Sequence, residues 1–546
     1  MKKYLKYIAV GVAAVSVASC ADLDTEPLGS TVTPSQKEDA IVARPSLGSA
    51  GVTAISANYH RMMAVSENHY DFGYPAVMLG LDLQTADMNS GYNGYNWFQS
   101  WQGYVNPTPT AVPTAMAWYT MYQTIKVAND VVSQIPADAE DLQMQYFRGQ
   151  GLANRAFCYW VLANLYQFNY QHVDPATAPC VPLVLDTNVA EVTVNGAPRA
   201  TVEAVYTQIM EDIDEAITLI EGSGIDASKV IASKPKRYIS TAAAYGLRAR
   251  FNLSMGKYTD AANDAQSAIS KFAGQPYSIY DVSVPGFNNI EDTSWMWGIA
   301  VSETDDGVRL GLVNFPSHIC SFAYGYVTVG AWRFCAEDLY ESIPSTDVRK
   351  GWFLDSSYYS PNLSEEQQAY LNGYKGNWVL DSYNTLPYIF PYTNVKYGPY
   401  QGKLGQTINA SDVPMMRVEE MYLILAEAQA MSGADGKGTL EAFIQTYRDP
   451  KYTCKAATPE EIQEEVFQQR RVELWGEGLV YFDYMRLNKG VDRTNAMAPN
   501  IFKYKIEPKD PVLIYCIPEG EITGNKQLSA SDNNPSSSRP TPIVVE

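Results

Sequence analysis

EEIQEEVFQQRRVELWGEGLVYFDYMR, residues 460–486, sets charges of both signs among large apolar side chains. Arg470, Arg471, Glu473, Glu477, Asp483 and Arg486 fall on consecutive helical turns or on either side of a tight turn at Gly478. Opposite charges at such spacing satisfy one another when partly buried, and charged groups must be paired to be buried at all. The segment therefore predicts an architectural ion network. It says where the chain is held together and does not mark a ligand pocket.

Outward from it, RVEEMYLILAEAQAMSGADGKGTLEAFIQTYR (417–448) predicts a helix–loop–helix. Further back, YGLRARFNLSMGKYTDAANDAQSAI (245–269) predicts two helices around the turn Met255-Gly256-Lys257, with Ala249, Ala261, Ala265 and Ala268 allowing close approach. This is the tetratricopeptide layout, with Arg248 and Asn252 where apolar residues are usual. TVEAVYTQIMEDIDEAITLIE (201–221) carries the stripe Val202, Val205, Ile209, Ile213, Ile217 and Ile220 behind Thr201 as N-cap. GLANRAFCYWVLANLYQF (151–168) is a further amphipathic helix. Residues 114–135 place Trp118, Tyr122, Ile125, Val132 and Ile135 on one helical face that Pro136 ends. Between about 275 and 410 the chain is rich in Pro, Gly, Tyr and Trp and poor in periodicity, and so long an irregular segment is usually functional.

The 460–486 segment is similar to the C-terminal signature of the SusD/RagB family of Bacteroidetes, surface lipoproteins that partner TonB-dependent outer-membrane channels. The matching residues are Arg470, Arg471, Glu473, Leu474, Glu477, Gly478, Phe482, Asp483 and Arg486, while Leu479-Val480 stand where the family usually carries a basic residue. RVEEMYLILAEAQA (417–430) resembles the family's preceding helix, and IPEGEIT (517–523) with Asn534-Pro535 its closing strand and tail. LYESIPSTDVRK (339–350) and the helix near 151–168 also fit its habits. The resemblance implies a mainly α SusD-like fold: tetratricopeptide-like repeats at about 114–270 and 415–490 as a scaffold, and a loop-rich, ligand-binding insertion with short strands at about 275–410.

The N-terminus reads as a lipoprotein signal peptide over residues 1–19. Lys2, Lys3 and Lys6 precede an apolar run from Tyr7 to Ala18, too short to span a bilayer, and Val17-Ala18-Ser19-Cys20 resembles a lipobox. Cys20 is then the lipidation site, residues 20–50 a tether, and 51–546 one domain. Asp22, Asp24 and Glu26 resemble the tag that exports such lipoproteins to the outer face of the outer membrane, or else form a solvated linker. A formal charge of −20 argues against nucleic acid and anionic lipid surfaces as partners. Cys158, Cys180, Cys320, Cys335, Cys454 and Cys516 show no metal-ligand spacing; they are expected as small buried hydrophobes, with room for one or two bridges.

No HExxH, GxSxG, phosphate-binding or dinucleotide motif occurs, and His60, His69, His172 and His318 are not at helical ligand spacing. His69, beside Tyr70 and Asp71, fits a hydrogen-bonded structural role better than a ligand contact. The expectation is a protein without catalysis, metal or cofactor. Binding is expected instead at SGYNGYNWFQSWQGY (90–104), where Tyr92, Tyr95, Trp97, Phe98, Trp101 and Tyr104 are interleaved with Asn96, Gln99 and Gln102 in loop-like sequence. A sugar offers an apolar C–H face and a rim of hydroxyls, so fixed aromatic rings with adjacent amides suit it. Trp295 and Trp297, alternating as on a strand in TSWMWGIA (293–300), form a second candidate pair. Asp82, in LGLDLQTADM (79–88) with Asp87, either accepts a hydroxyl donor or caps a turn. Anchoring of the loop is the competing role for Trp97 and Trp101, whereas Tyr92 and Tyr95 lie in exposed-looking sequence. The implied ligand is an oligosaccharide, with a peptide as alternative; the implied partner is a SusC-like TonB-dependent transporter. A tetratricopeptide scaffold that binds only proteins is the reading from outside the family.

Overall fold

The computed structural model of the chain describes residues 34–62, 69–91, 94–230, 233–379, 385–387, 389–494, 497–537 and 539–543. Helices α1 (Gly48–Asn58) and α2 (Tyr74–Asp82) lie against α3 (Val112–Ser133). From there each helix packs on the next: α3 on α4 (Leu142–Tyr166), α4 on α5 (Val202–Ser223), α5 on α6 (Thr241–Ser254) and α6 on α7 (Tyr258–Lys271). The succession continues across a gap in sequence. Helix α7 packs directly on α8 (Val418–Met431), and α8 on α9 (Gly436–Tyr447) and α10 (Pro459–Glu473). The chain between Lys271 and Val418 leaves this helical stack and returns to it.

Local sequence accounts for the stack. In α5 the Thr201 hydroxyl accepts the Ala204 amide hydrogen at 3.2 Å, the apolar stripe from Val202 to Ile220 is buried, and Gly224 closes the helix at φ 60°. Cap, stripe and left-handed glycine act together here. Between α6 and α7 the four alanines 249, 261, 265 and 268 are fully buried, which lets the two backbones approach. Arg248 and Asn252, the departures from the repeat pattern, both bond Asp264 of α7, Arg248 at 2.7 and 3.0 Å and Asn252 at 2.9 Å. A polar clamp replaces apolar contact at that point. At Gly246 a Cβ would fall 2.6 Å from the Met416 sulfur, so α6 lies close against the returning chain there and a larger residue would require that side chain to shift.

Short strands tie the excursion down. β1 (Met88–Ser90) pairs antiparallel with β3 (Arg333–Cys335), in the register Met88↔Cys335 and Ser90↔Arg333. β2 (Trp295–Ile299) pairs antiparallel with β4 (Val413–Arg417) through a bulge. Three expectations need correction. Residues 34–43 and 48–50 are helical, so a tether reaching to residue 50 is too long; its part before residue 34, with Cys20, lies outside the described residues. IPEGEIT contributes a short helix, Glu519–Gly524, instead of a strand. All six cysteines after Cys20 are buried and free, so no bridge forms among them.

The 460–486 charges form a network, but only Asp483 finds its partners inside the segment, with Arg470 at 2.7 Å and Arg486 at 2.8 Å. Glu473 draws on three distant arginines: Arg448 at 2.7 Å, Arg417 at 3.1 Å and Arg349 at 3.3 Å. Glu477 takes Arg417 and Lys396, each at 2.8 Å. Arg486, on α11 (Val480–Arg486), reaches back to Glu427 of α8 at 2.7 Å. Leu479 and Val480, where a basic residue is usual in the family, are buried apolar side chains.

Replacing Glu473 with Ala leaves three buried guanidiniums short of a counter-charge, and should cost about 3–5 kcal/mol of unfolding free energy in denaturant melts. Burial pushes the Glu473 carboxyl up, but Arg448, Arg417 and Arg349 outweigh it and hold it well below the usual 4.5. A depressed folded-state pKa contributes stability that is present above the unfolded value and lost as pH falls. The melting temperature should therefore drop on acidification below about pH 4.5, and Glu473→Gln should lessen that dependence.

Candidate functional site

The β1–β3 pairing sets the loop after Ser90 against the segment before Arg333. Asn96 braces that loop from inside: its Nδ2 donates to the Gly91 carbonyl at 3.1 Å and to Gln102 Oε1 at 3.0 Å. Its Oδ1 accepts from the Phe98 amide at 3.2 Å and from Arg333 at 3.3 Å. Gln102 in turn donates to the Ser90 carbonyl at 3.2 Å. Arg333, also bonded to the Ser90 hydroxyl, is wholly buried beneath the Phe98 ring, and burial pushes its pKa down to about 9.

Bracing from inside decides which rings reach the surface. Tyr95 is 40% exposed and Trp97 half-buried. Trp97 stacks on His69 with ring centroids 4.7 Å apart and planes at 26°. Tyr326 meets His69 edge-on at 5.2 Å and Trp97 at 6.1 Å, and its hydroxyl contacts His69 Nδ1. Tyr324, two residues earlier on the same turn, is 50% exposed. Burial, and after it the nearby phenols of Tyr324 and Tyr95, push Tyr326 up to about 12, so it stays a neutral hydroxyl. Burial lowers His69 from the usual 6.5.

A second layer holds this one flat. His318 stacks between Tyr326 at 4.8 Å and Phe72 at 5.3 Å, and its Nε2 donates to the His69 carbonyl at 2.9 Å. Burial first, then Arg333, lower the His318 pKa well below 6.5, so a neutral imidazole completes the layer. The result is a half-buried stack of Trp97 and His69, fixed from behind by the buried Tyr326 and His318, with the exposed phenols of Tyr95 and Tyr324 beside it. Such a face can cover the C–H side of a sugar and bond its hydroxyls.

Several expected contacts lie elsewhere. Trp101 is fully buried against Tyr70 and Phe98, and a Cβ on Gly80 would stand 2.2 Å from its ring. Trp295 and Trp297 do sit on a strand, but that strand is covered on both sides. Trp295 Nε1 donates to the Tyr277 hydroxyl at 2.9 Å, and Trp297 packs edge-on against Tyr59 and Phe157. Asp82 is buried and accepts the Gly478 amide at 3.0 Å, so it caps a turn, though one nearly four hundred residues away in sequence. Asn96 is the brace described above. None of these five presents a surface to a ligand. Tyr92 lies outside the described residues.

Sequence reasoning passed over Tyr324 and Tyr326 and assigned His69 to structure. The signal was SFAYGYVTVG (321–330), two tyrosines around a glycine in an irregular segment. Its pairing with residues 90–104 depends on the β1–β3 register, which spacing does not encode.

The geometry can be set beside known proteins. A family model described as "Starch-binding associating with outer membrane" matches residues 73–253, and one described as "SusD family" matches residues 345–535. A SusD-like carbohydrate-binding protein from Bacteroides vulgatus superposes with a TM-score of 0.70 at 21% identity, over 89% of this chain and 97% of its own. A "laminarin binding SusD-like protein" gives 0.60 at 20% identity, over 90% and 98%. Surface glycan-binding protein A from Bacteroides thetaiotaomicron, in complex with laminarihexaose, gives 0.62 at 16% identity, over 90% and 99%. At these identities the likeness shows the fold. No curated protein sequence matches the chain.

Trp101→Ala and Trp297→Ala should each lower unfolding free energy by about 3–5 kcal/mol, the loss typical of a buried aromatic cut to Ala. Thermal and denaturant melts of the two variants check this.

Proposed function

The chain belongs to the SusD/RagB family, and on that premise we propose that it is a cell-surface lipoprotein that captures oligosaccharides and delivers them to a SusC-like, TonB-dependent transporter. It performs no chemistry on what it binds. The observation that carries this reading is the aromatic face of Tyr95, Trp97, His69 and Tyr324, held rigid by the buried Tyr326, His318 and Phe72. Rigid rings bind with little ordering cost, which suits a protein that must take up and release sugars repeatedly. Proteins of the same fold that are described as laminarin-binding or are complexed with laminarihexaose support an oligosaccharide as ligand. Anchoring through lipid on Cys20 supplies the membrane attachment in this reading, with the acidic residues behind it directing the protein outward.

A glycan array followed by calorimetry tests the proposal. Trp97→Ala, and Tyr95→Ala with Tyr324→Ala, should each weaken binding by about thirtyfold, equivalent to about 2 kcal/mol for a central aromatic contact. Thermal melts of the Tyr95 and Tyr324 variants should be nearly unchanged, because both rings are exposed. Intact affinity in both the Trp97 variant and the combined Tyr95 and Tyr324 variant would place the binding face elsewhere. For the anchor, Cys20→Ala should release the protein from the outer-membrane fraction, and retention of the variant there would contradict lipidation at this position.

A further inference from the structure

The turn that carries Tyr324 is held from two sides. Its phenol lies near the Tyr326 hydroxyl, as does the phenol of Tyr95, so the ring belongs to the aromatic face. Its backbone is bound to the segment 405–409. The Tyr324 amide donates to the Gln406 carbonyl at 3.0 Å, and the Gly405 amide donates to the Phe322 carbonyl at 2.8 Å. The buried Asn409 completes the junction. Its Nδ2 donates to the Tyr324 carbonyl at 3.0 Å, the Gly311 carbonyl at 3.3 Å and the Ser317 hydroxyl at 2.9 Å. One side-chain nitrogen thus gathers the backbone at residues 311, 324 and 409.

Around this buried tie the chain shows apolar side chains to solvent. Leu310 is 61% exposed, Tyr324 50% and Ile408 40%. Exposed apolar residues scattered singly need no explanation, whereas a group of them marks a binding surface. Leu310 and Ile408 each adjoin a residue of the tie, and Tyr324 is itself one of its partners. Arg309 and Thr407, the neighbours of Leu310 and Ile408 in sequence, are exposed as well and bring hydrogen-bonding groups to the same place.

Tyr324 is common to this patch and to the aromatic face, so the two surfaces are continuous. A ligand lying across Trp97, Tyr95 and Tyr324 and running on past Tyr324 meets Leu310 and Ile408 next. We infer that Leu310 and Ile408 form a further subsite, occupied by the units of an oligosaccharide that extend beyond the aromatic rings. The inference rests on the reading of those rings as a glycan platform. The C–H face of a sugar can be covered by aliphatic side chains, and Arg309 and Thr407 stand beside them for its hydroxyls. The ligand class is thereby long oligosaccharide chains, instead of mono- or disaccharides. Apolar contact is non-directional, so this subsite adds affinity without selecting a linkage.

Calorimetry on the full mature protein with the trioses and hexaoses of the laminari-, cello- and malto- series tests this. At least one hexaose should bind about tenfold or more tighter than its triose. The double variant Leu310→Ser with Ile408→Ser should weaken that hexaose about tenfold, equivalent to about 1.4 kcal/mol for two side chains partly covered by ligand, and leave the triose as before. Its thermal melt should be unchanged, because both side chains are exposed. Leu310→Phe with Ile408→Phe, which keeps an apolar surface, should retain the preference for the hexaose. Trp97→Ala should weaken triose and hexaose alike. Equal binding of triose and hexaose by the wild type overturns the subsite and leaves the platform standing. So does a serine variant that leaves the hexaose unchanged or weakens the triose by the same factor. Failure of all the trioses and hexaoses to bind overturns the platform reading and the subsite with it.

Discussion

Glu473 is a carboxylate with no exposed surface, and the guanidiniums of Arg349, Arg417 and Arg448 lie within 3.3 Å of it. An unpaired charge in that position would cost several kcal/mol in lost hydration. The three arginines come from the excursion, from the end of β4 and from the end of α9. They meet at one carboxylate only if the chain that leaves the stack after α7 returns in one register. Glu477 repeats the requirement with Lys396 and Arg417. A local cluster of charges thereby becomes a condition on the whole topology.

The same hub reaches the aromatic face. Arg471 pairs with Asp87 at 2.9 Å, Trp475 Nε1 donates to the Asp87 carbonyl at 3.1 Å, and the Gly478 amide is held by Asp82. These bonds fix the end of α2 and the approach to β1. The strand β1 then pairs with β3, and this brings the loop of Tyr95 and Trp97 to the turn of Tyr324 and Tyr326. The ring geometry at the surface is therefore inherited from buried ion pairs. Asp82 and Asp87 act on that face through position, as buried partners of Gly478 and Arg471.

The helical stack was legible because its determinants are local. The Thr201 cap, the 202–220 stripe and the buried alanines of α6 and α7 specify their helices within a few turns. Partnership was not legible. Glu473 and Asp82 looked like residues that would be satisfied nearby, yet their partners lie tens to hundreds of residues away. For the rings, sequence named the loop correctly as aromatic surplus but could not tell Trp97 from Trp101, four residues apart. The difference arises because Asn96 and Gln102 pin the loop backbone while Gly80 makes room for the Trp101 ring. Trp295 and Trp297 were read correctly as a strand. The cover over both faces of that strand comes from Tyr59, Phe157 and Tyr277, which no local pattern associates with it.

The central claim is that the chain binds glycans on the face that the early loop and the excursion build together. A crystal structure of the protein with the tightest-binding oligosaccharide from an array tests it most directly. The account requires a sugar ring lying against Trp97, within contact of Tyr95 and Tyr324. A well-ordered oligosaccharide bound elsewhere, with these three side chains untouched, would contradict it.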